Sequence, residues 1–276
     1  TGRGGGRTAA RTGRVDIGSA SSDTDPDDYE IDLDGDGNED VVGKLLVTTV
    51  ARDGVTMCTN NIGGVTNIDK ELLTAIYLVN FDVWTNGDVV SNYPAITPPG
   101  ADDEYNVGDF AADGWTTTAA DDTIGVGYRS EKSGTQEAFS GSATYIKSIT
   151  GEKQLAHGAP TTFIDDGIYD VNGGGNSELM DAIEGAAGPV LSFCSLSEVD
   201  ASSVVTKLTF NGVEATEGNI AGGSYEAARP LQYLTVDLDE DGKIDAGLAR
   251  TFIEFCLIPE INEEVCELAG YTSLYA

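Results

Sequence analysis

Arg129, Ser133, Gly134 and Thr135 gather a guanidinium, two hydroxyls and the first N–H groups of a predicted helix into one short run. Every one of these groups donates hydrogen bonds. Together they make the chemistry of a site for a small oxyanion such as phosphate. Ser133 and Gln136 stand at capping-box spacing, which predicts a helix from Ser133 to about Ile149. The chain carries 47 acidic and 15 basic residues, a net charge of -32. The bulk field opposes an anion, so the site must be built from local donors.

The elements that would position this run follow from the pattern around it. Ile124–Tyr128 reads as a short strand delivering Arg129, and Gly173-Gly-Gly-Asn-Ser177 opens a second helix through Ile183. Residues 15–22 read as a strand ending in a hydroxyl-rich turn. Leu45–Val50, Gly54–Cys58, Val190–Cys194, Thr206–Phe210 (with a turn at Asn211-Gly212) and Leu231–Val236 read as further strands. Helices are predicted over Asp69–Leu78, Leu248–Leu257 and near Asn262–Leu268, and residues 92–121 as a long surface insertion. Strands alternating with helices predict an α/β fold with mainly parallel sheets flanked by helices.

Composition narrows the partners. The acidic excess argues against nucleic acid and anionic membranes. No apolar run reaches the length of a membrane-spanning helix. No CxxC pair exists among Cys58, Cys194, Cys256 and Cys266, and the expected disulfides are Cys58–Cys194 and Cys256–Cys266. The only histidine, His157, lies in a Gly/Pro-flanked stretch and reads as a surface loop residue, which leaves a histidine-based enzyme mechanism without support. Trp84 reads as core and Trp115 as locally packed.

Two aspartate-rich loops have the spacing of calcium loops. Asp32, Asp34, Asp36, Asn38 and Asp40 form one; Asp237, Asp239, Asp241, Lys243 and Asp245 form the other. Alternate side chains converge on a hard cation while a glycine permits the turn. The twelfth position is Gly43 in one loop and Leu248 in the other, so neither is a complete EF-hand. The expected role of calcium is structural. Arg3, Arg7, Arg11 and Arg14 would share one helix face. That face is either simply solvated or a contact for an acidic partner, such as another copy of the chain.

The order of these motifs resembles that of the phosphate-binding proteins of ABC transporters, within the type II periplasmic-binding fold. Gly2-Arg-Gly-Gly-Gly6 with Val15-Asp-Ile-Gly18 is similar to the family's glycine-serine loop, helix and following strand. Val50-Ala-Arg-Asp-Gly54 with Asn60-Asn61 resembles the strand crossing between lobes. Glu71–Tyr77 with Trp84 resembles its helix-and-tryptophan signature. Arg129 through Thr135 resembles the oxyanion clamp, and Gly188–Phe193 the returning strand. Tyr225–Leu231, Phe252–Phe255 and Gly270–Leu274 resemble the closing segments.

The resemblance implies two lobes, residues 1–53 with 196–276 and residues 54–195, holding the ligand in the cleft between them. It implies Arg129, Ser133, Gly134 and Thr135 on one side of the ligand and Arg3, Gly4 and Ser21 on the other. Aligned by the resemblance, the given sequence is expected to lack the family's first strand and helix ahead of the glycine loop. Arg3 or Gly4 stands where that loop has serine, and Ser21 where the family often has an acid. The expectation is that a second copy of the chain covers the first lobe, with strand donation as one route to that contact.

The function expected is a secreted, periplasmic or cell-surface solute-binding protein for phosphate or a similar oxyanion, not an enzyme, working with an ABC transporter permease. The alternative is a self-assembling surface or filament subunit in which phosphate binding is reduced or lost.

Overall fold

The computed structural model describes residues 3–21, 24, 44–81, 104–129, 133–150, 163–165, 168–170, 174–237, 243–245 and 247–276. The chain divides into two compact units. The first takes residues 1–53 and 228–276, the second residues 54–227. Residues 196–227, placed with the first lobe by the sequence, therefore lie in the second unit.

In the first unit, helix α1 (Arg3–Arg11) runs into the short strand β1 (Gly18–Ala20). Their backbones touch: a side chain at Gly6 would collide with the Ser19 carbonyl, and one at Gly18 with the Gly6 carbonyl. Only glycine allows this approach. β1 pairs antiparallel with β10 (Ala228–Asp237), which lies next to the first half of β2 (Lys44–Asn60). Ala10, Ala20, Leu45 and Leu234 form the core cluster here. Arg7 is buried at 5% exposure, so the arginine face is not simply solvated.

At the end of the chain, α8 (Leu248–Cys256) and α9 (Pro259–Ala269) are tied together by Asn262. Its amide donates to the carbonyls of Val50 and Cys256, while its oxygen accepts from Ser273 and Leu274. A buried polar side chain satisfied on both ends in this way fixes the tail to β2.

In the second unit, the latter half of β2 pairs antiparallel with β7 (Val190–Ser195), and β8 (Thr206–Lys207) pairs antiparallel with β2. β4 (Gly125–Tyr128) runs parallel to both β7 and β6 (Ile168–Asp170), and β5 (Phe163–Asp165) forms a hairpin with β6. β3 (Asn67–Ile68) and β9 (Thr209–Phe210) make a separate parallel pair. The α/β fold is as expected, but the pairing is mixed rather than mainly parallel. The crossing strand β2 and the β5–β6 hairpin contribute antiparallel pairs that a strand–helix–strand reading does not foresee.

Among the described residues, five α-helices flank these strands: α2 (Lys70–Asn80), α3 (Gly134–Ala138), α4 (Ile146–Thr150), α5 (Asn176–Glu184) and α6 (Leu196–Ala201). A short α7 (Glu217–Ala221) follows. Asp69 caps α2 by accepting from the Leu72 N–H. The core centres on Tyr77, Phe139 and Phe193, all fully buried, with Phe139 stacked on Phe193 at 4.0 Å. The Tyr77 hydroxyl donates to the Gly127 carbonyl at 2.7 Å, so this buried polar group is satisfied. Burying side chains of this size stabilises the fold by about 1.5–3 kcal/mol each. A side chain at Gly127 would run into Ser192 on the neighbouring strand, so β4 and β7 meet through a glycine.

The predicted surface insertion is partly core. Residues 92–103 and Trp84 lie outside the described residues. Tyr105, Val107 and Trp115 are buried, and Trp115 packs on Phe110 at 4.5 Å between ring centres.

Neither expected disulfide forms; all four thiols are unbridged. The register explains the first. Cys58 stands opposite Ser192 and Cys194 opposite Thr56, so the two are diagonal neighbours on one face. Diagonal partners sit farther apart than the roughly 3.5–4.5 Å between Cβ atoms that a disulfide requires. They pack instead as apolar groups with Met180 and Val199. Burial, and then each other's proximity, pushes the Cys58 thiol up. Cys266 faces Asn262 on its own helix, one turn back.

Candidate anion site

Two neighbouring parallel strands bring the site together. Tyr128 of β4 stands beside Asp170 of β6, and each chain leaves its strand at the same end of the sheet. Arg129 follows directly on β4, and Gly174 and α5 follow β6 after a short connection. Ligands of α/β proteins collect at this carboxyl edge because chain ends and helix starts converge there.

The convergence is visible in the contacts of Arg129. Its Nη1 donates to Asn176 Oδ1 at 2.6 Å, and its Nη2 to the Gly174 carbonyl at 3.1 Å. Its backbone N–H donates to Gln136 Oε1 at 3.2 Å, and Gln136 in turn donates to Ser140 at 3.0 Å. Gln136 is fully buried, so it joins the end of β4 to the interior of the following helix.

Ser133 caps α3. It has extended backbone angles, its hydroxyl accepts from the Gln136 N–H at 3.4 Å, and its carbonyl receives the Glu137 N–H. Gly134 and Thr135 are the first two helical residues, and Thr135 is 1% exposed. The N–H groups at such positions have no partner inside the helix and suit an anion. The structure therefore brings Arg129, Ser133, Gly134 and Thr135 to one edge of the second unit. The helix expected to run to Ile149 stops at Ala138 and passes through a π turn, Phe139–Ala143, before α4.

The first turn of α5 supplies residues that sequence reasoning missed. Glu178 accepts from the Gly175 N–H at 2.6 Å, Ser177 donates to Glu198 at 2.8 Å, and the Cys194 thiol donates to the Asn176 carbonyl at 3.4 Å. The Glu178 carboxyl is held below its ordinary range, first by its own backbone N–H, then by that of Gly175, with the Arg129 charge adding to both. The run Gly173-Gly-Gly-Asn signalled a helix start in the sequence, but nothing in it signalled a partner for Arg129.

The other expected site residues belong to the first unit. Ser21 follows β1, and its carbonyl accepts from Arg229 Nη1 at 3.4 Å. Arg3 and Gly4 open α1, and the Arg3 side chain lies outside what the structure describes. Arg229 also donates through Nε and Nη2 to Asp53 Oδ2, at 3.0 and 2.5 Å, in a pair almost fully buried. Burial pushes the Asp53 carboxyl up, and Arg229 pulls it back.

Of the calcium loops, residues 32–40 together with Asp239 and Asp241 lie outside the described residues. Asp237 closes β10 at 2% exposure, whereas Lys243 and Asp245 are exposed. His157 also lies outside the described residues. Among those described, no cluster of three or more His, Cys, Asp or Glu suits a metal ion, and no helix is long and apolar enough to cross a membrane.

The chain belongs to the PBP superfamily domain family, whose model matches residues 1–260. Solved structures agree on the fold. An ABC-type phosphate transport receptor from Vibrio cholerae is 20% identical, with a TM-score of 0.60 over 98% of this chain and 84% of its own. A structure assigned as a phosphate ABC transporter substrate-binding protein with bound phosphate, from Clostridium perfringens, is 18% identical, with a TM-score of 0.56 over 99% and 84%. PstS from Borrelia burgdorferi is 16% identical, with a TM-score of 0.56 over 98% and 83%. No curated protein matches the chain. The type II periplasmic-binding fold expected from the motifs is thus the fold of this protein. Family and fold support the solute-binding class and lend nothing to the self-assembling alternative.

Proposed function

We propose that this protein binds phosphate or a similar oxyanion and serves as the solute-binding component of an ABC transporter outside the cytoplasm, without enzymatic activity. The observation that carries this reading is the assembly of Arg129, Ser133, Gly134 and Thr135 at the carboxyl edge of the second unit's strands, in a family of binding proteins. Arg129 would give charge-assisted hydrogen bonds, Ser133 and Thr135 hydroxyl donors, and Gly134 and Thr135 backbone donors. Arg3, Gly4 and Ser21 belong to the same proposal as donors from the first unit. The neighbours whose descriptions name phosphate add support. Calorimetric titration with phosphate and sulfate tests the reading. Saturable binding of either, lost in Arg129→Ala, supports it; no binding of any tetrahedral oxyanion by folded protein overturns it.

Calcium in the two aspartate loops remains part of the proposal as a structural ion that offsets the self-repulsion of an acidic chain. Added calcium should raise the unfolding temperature, and Asp237→Ala should reduce that rise. Association between copies is the remaining part. Among the described residues, eight of the ten exposed large hydrophobics fall between 248 and 275, including Phe252, Phe255, Val265 and Leu268. An apolar concentration of this kind favours a covered surface. A sedimentation coefficient that stays constant from low to high protein concentration in physiological salt would exclude it.

A further inference from the structure

We infer that α8 and α9 of the first unit form a self-complementary surface for a second copy of this chain, an apolar ridge and groove rimmed by glutamates, so that the contact tightens as salt rises. The inference rests on the association between copies proposed above and adds to it the surface and the sign of its salt dependence.

Leu248, Phe252 and Phe255 stand at i, i+4 and i+7, which puts them on one face of α8. All three are exposed, Leu248 at 89%. An apolar stripe of this kind ordinarily faces a core. Here Ile253 is the one buried residue of the helix. α9 adds Val265 and, at 82% exposure, Leu268.

Beside this ridge lies a groove of about 570 Å³, lined among others by Leu231 and Tyr233 of β10 and by Phe252, Phe255, Val265 and Tyr271. The Tyr233 and Phe252 rings stand 5.8 Å apart between centres. Phe252 and Phe255 belong to both ridge and groove, so the two features are contiguous.

A two-fold contact needs one patch that fits itself. A ridge beside a groove meets that need, because the ridge of each copy can enter the groove of the other. A foreign partner filling the groove alone would leave the ridge in water. Area points the same way. Each side of a stable interface buries about 800 Å². Eight large apolar side chains between residues 248 and 275, each at least 38% exposed, offer surface on that order.

The rim sets the response to salt. Glu260, Glu263, Glu264 and Glu267 are exposed along α9, which holds no basic residue. Two copies meeting here bring like charges together, on chains that each carry a net charge of -32. Salt shortens the reach of that repulsion, from about 10 Å at 0.1 M to about 3 Å at 1 M. Apolar burial has no charge to screen. A contact between opposite charges would weaken instead.

The test is sedimentation velocity of the folded chain over a range of protein concentrations, in about 0.1 M and about 1 M sodium chloride. Calcium is held constant and folding is followed by circular dichroism. A dimer should form in both and be about tenfold tighter in the higher salt. The double variant Leu248→Asp/Leu268→Asp, at two largely exposed positions, should stay monomeric in both with an unfolding midpoint near wild type. Glu263→Gln/Glu264→Gln should tighten the dimer in the lower salt and shrink its response to salt.

Association that weakens with salt, or is equal in both, overturns the role of the rim. Association that survives in the leucine variant overturns the surface while leaving association itself standing. The glutamate variant decides the matter if the leucine variant fails to fold: an unchanged dimer there places the contact elsewhere. A wild type that stays monomeric throughout overturns this surface and the association reading together. Binding of a synthetic helical leucine–lysine peptide to a monomeric chain, weakened by salt, would put a basic partner where the inference puts a copy and overturn it.

Discussion

Two arginines, one in each unit, show how the same side chain is put to different uses. Arg229 is buried against Asp53, with Nε and Nη2 on a single carboxylate oxygen. It sits beside the points where the chain passes from one unit to the other, at Asp53/Gly54 and Ala227/Ala228. Arg129 is only partly buried, and its Nη groups donate to an amide oxygen and a backbone carbonyl. A carboxylate neutralises the first arginine and makes it part of the framework. The Nη groups of the second are held by an amide oxygen and a backbone carbonyl at the edge of the strands. The lesson is that position in the fold, more than the arginine itself, separates a framework cation from one proposed to meet a ligand.

Breaking the first arginine's pair should have the largest effect. Asp53→Ala leaves a buried guanidinium without its counter-charge, and such losses destabilise by about 3–5 kcal/mol. Urea unfolding measures it, and a loss under about 1 kcal/mol would remove the pair from the framework. Arg129→Ala should do the reverse. Its cost should fall on phosphate affinity, by about 2 kcal/mol or more, with an unfolding free energy close to wild type. If Arg129→Ala unfolds the protein as readily as Asp53→Ala, the contrast between the two arginines fails.

Ser133→Ala is a smaller change. It removes the cap of α3 at a stability cost of about 1 kcal/mol and should also weaken phosphate. A stability change without an affinity change would make Ser133 a cap alone. Glu178 gives the smallest effect. Its carboxyl should titrate below the ordinary glutamate value, as read from its carboxyl carbon by NMR. A depressed folded-state value means that its contribution is present above the unfolded-state value and is lost as pH falls through the folded one. In Arg129→Ala the Glu178 value should rise part of the way back, because the backbone N–H groups remain. No movement would show that Arg129 exerts no field there.

The segment proposed to hold the anion was legible where its signal is local. The cap at Ser133, the strand delivering Arg129 and the helix start near Asn176 each follow from a few adjacent residues. What could not be read depends on distant partners. The helix from Ser133 breaks because Thr144 turns extended and bonds back to the Phe139 and Ser140 carbonyls. The Tyr145 N–H is meanwhile drawn to Thr74 on α2, seventy-one residues away in sequence. By pattern alone, Leu45–Val50 and Gly54–Cys58 read as two strands separated by Ala51-Arg52-Asp53, although the family resemblance made Val50–Gly54 a crossing strand. The chain continues as one strand because Arg52 pairs with Thr272, Asp53 with Arg229, and Gly54 lies against Ile220.

An even cysteine count suggested disulfides, but strand register placed Cys58 and Cys194 diagonally rather than face to face. Asn176 is the clearest case. Its hydrogen bond with Arg129 exists only because β4 and β6 are neighbours, and no spacing along the chain encodes that.

The central claim is that Arg129 and the residues around it hold an oxyanion. Calorimetric titration of inorganic phosphate into the folded chain tests it most directly, with Arg129→Ala run in parallel. The account predicts saturable binding of a single phosphate per chain, strongly weakened in the variant at unchanged fold. A folded wild type that takes up no phosphate, or a variant that binds it as tightly as the wild type, would contradict it.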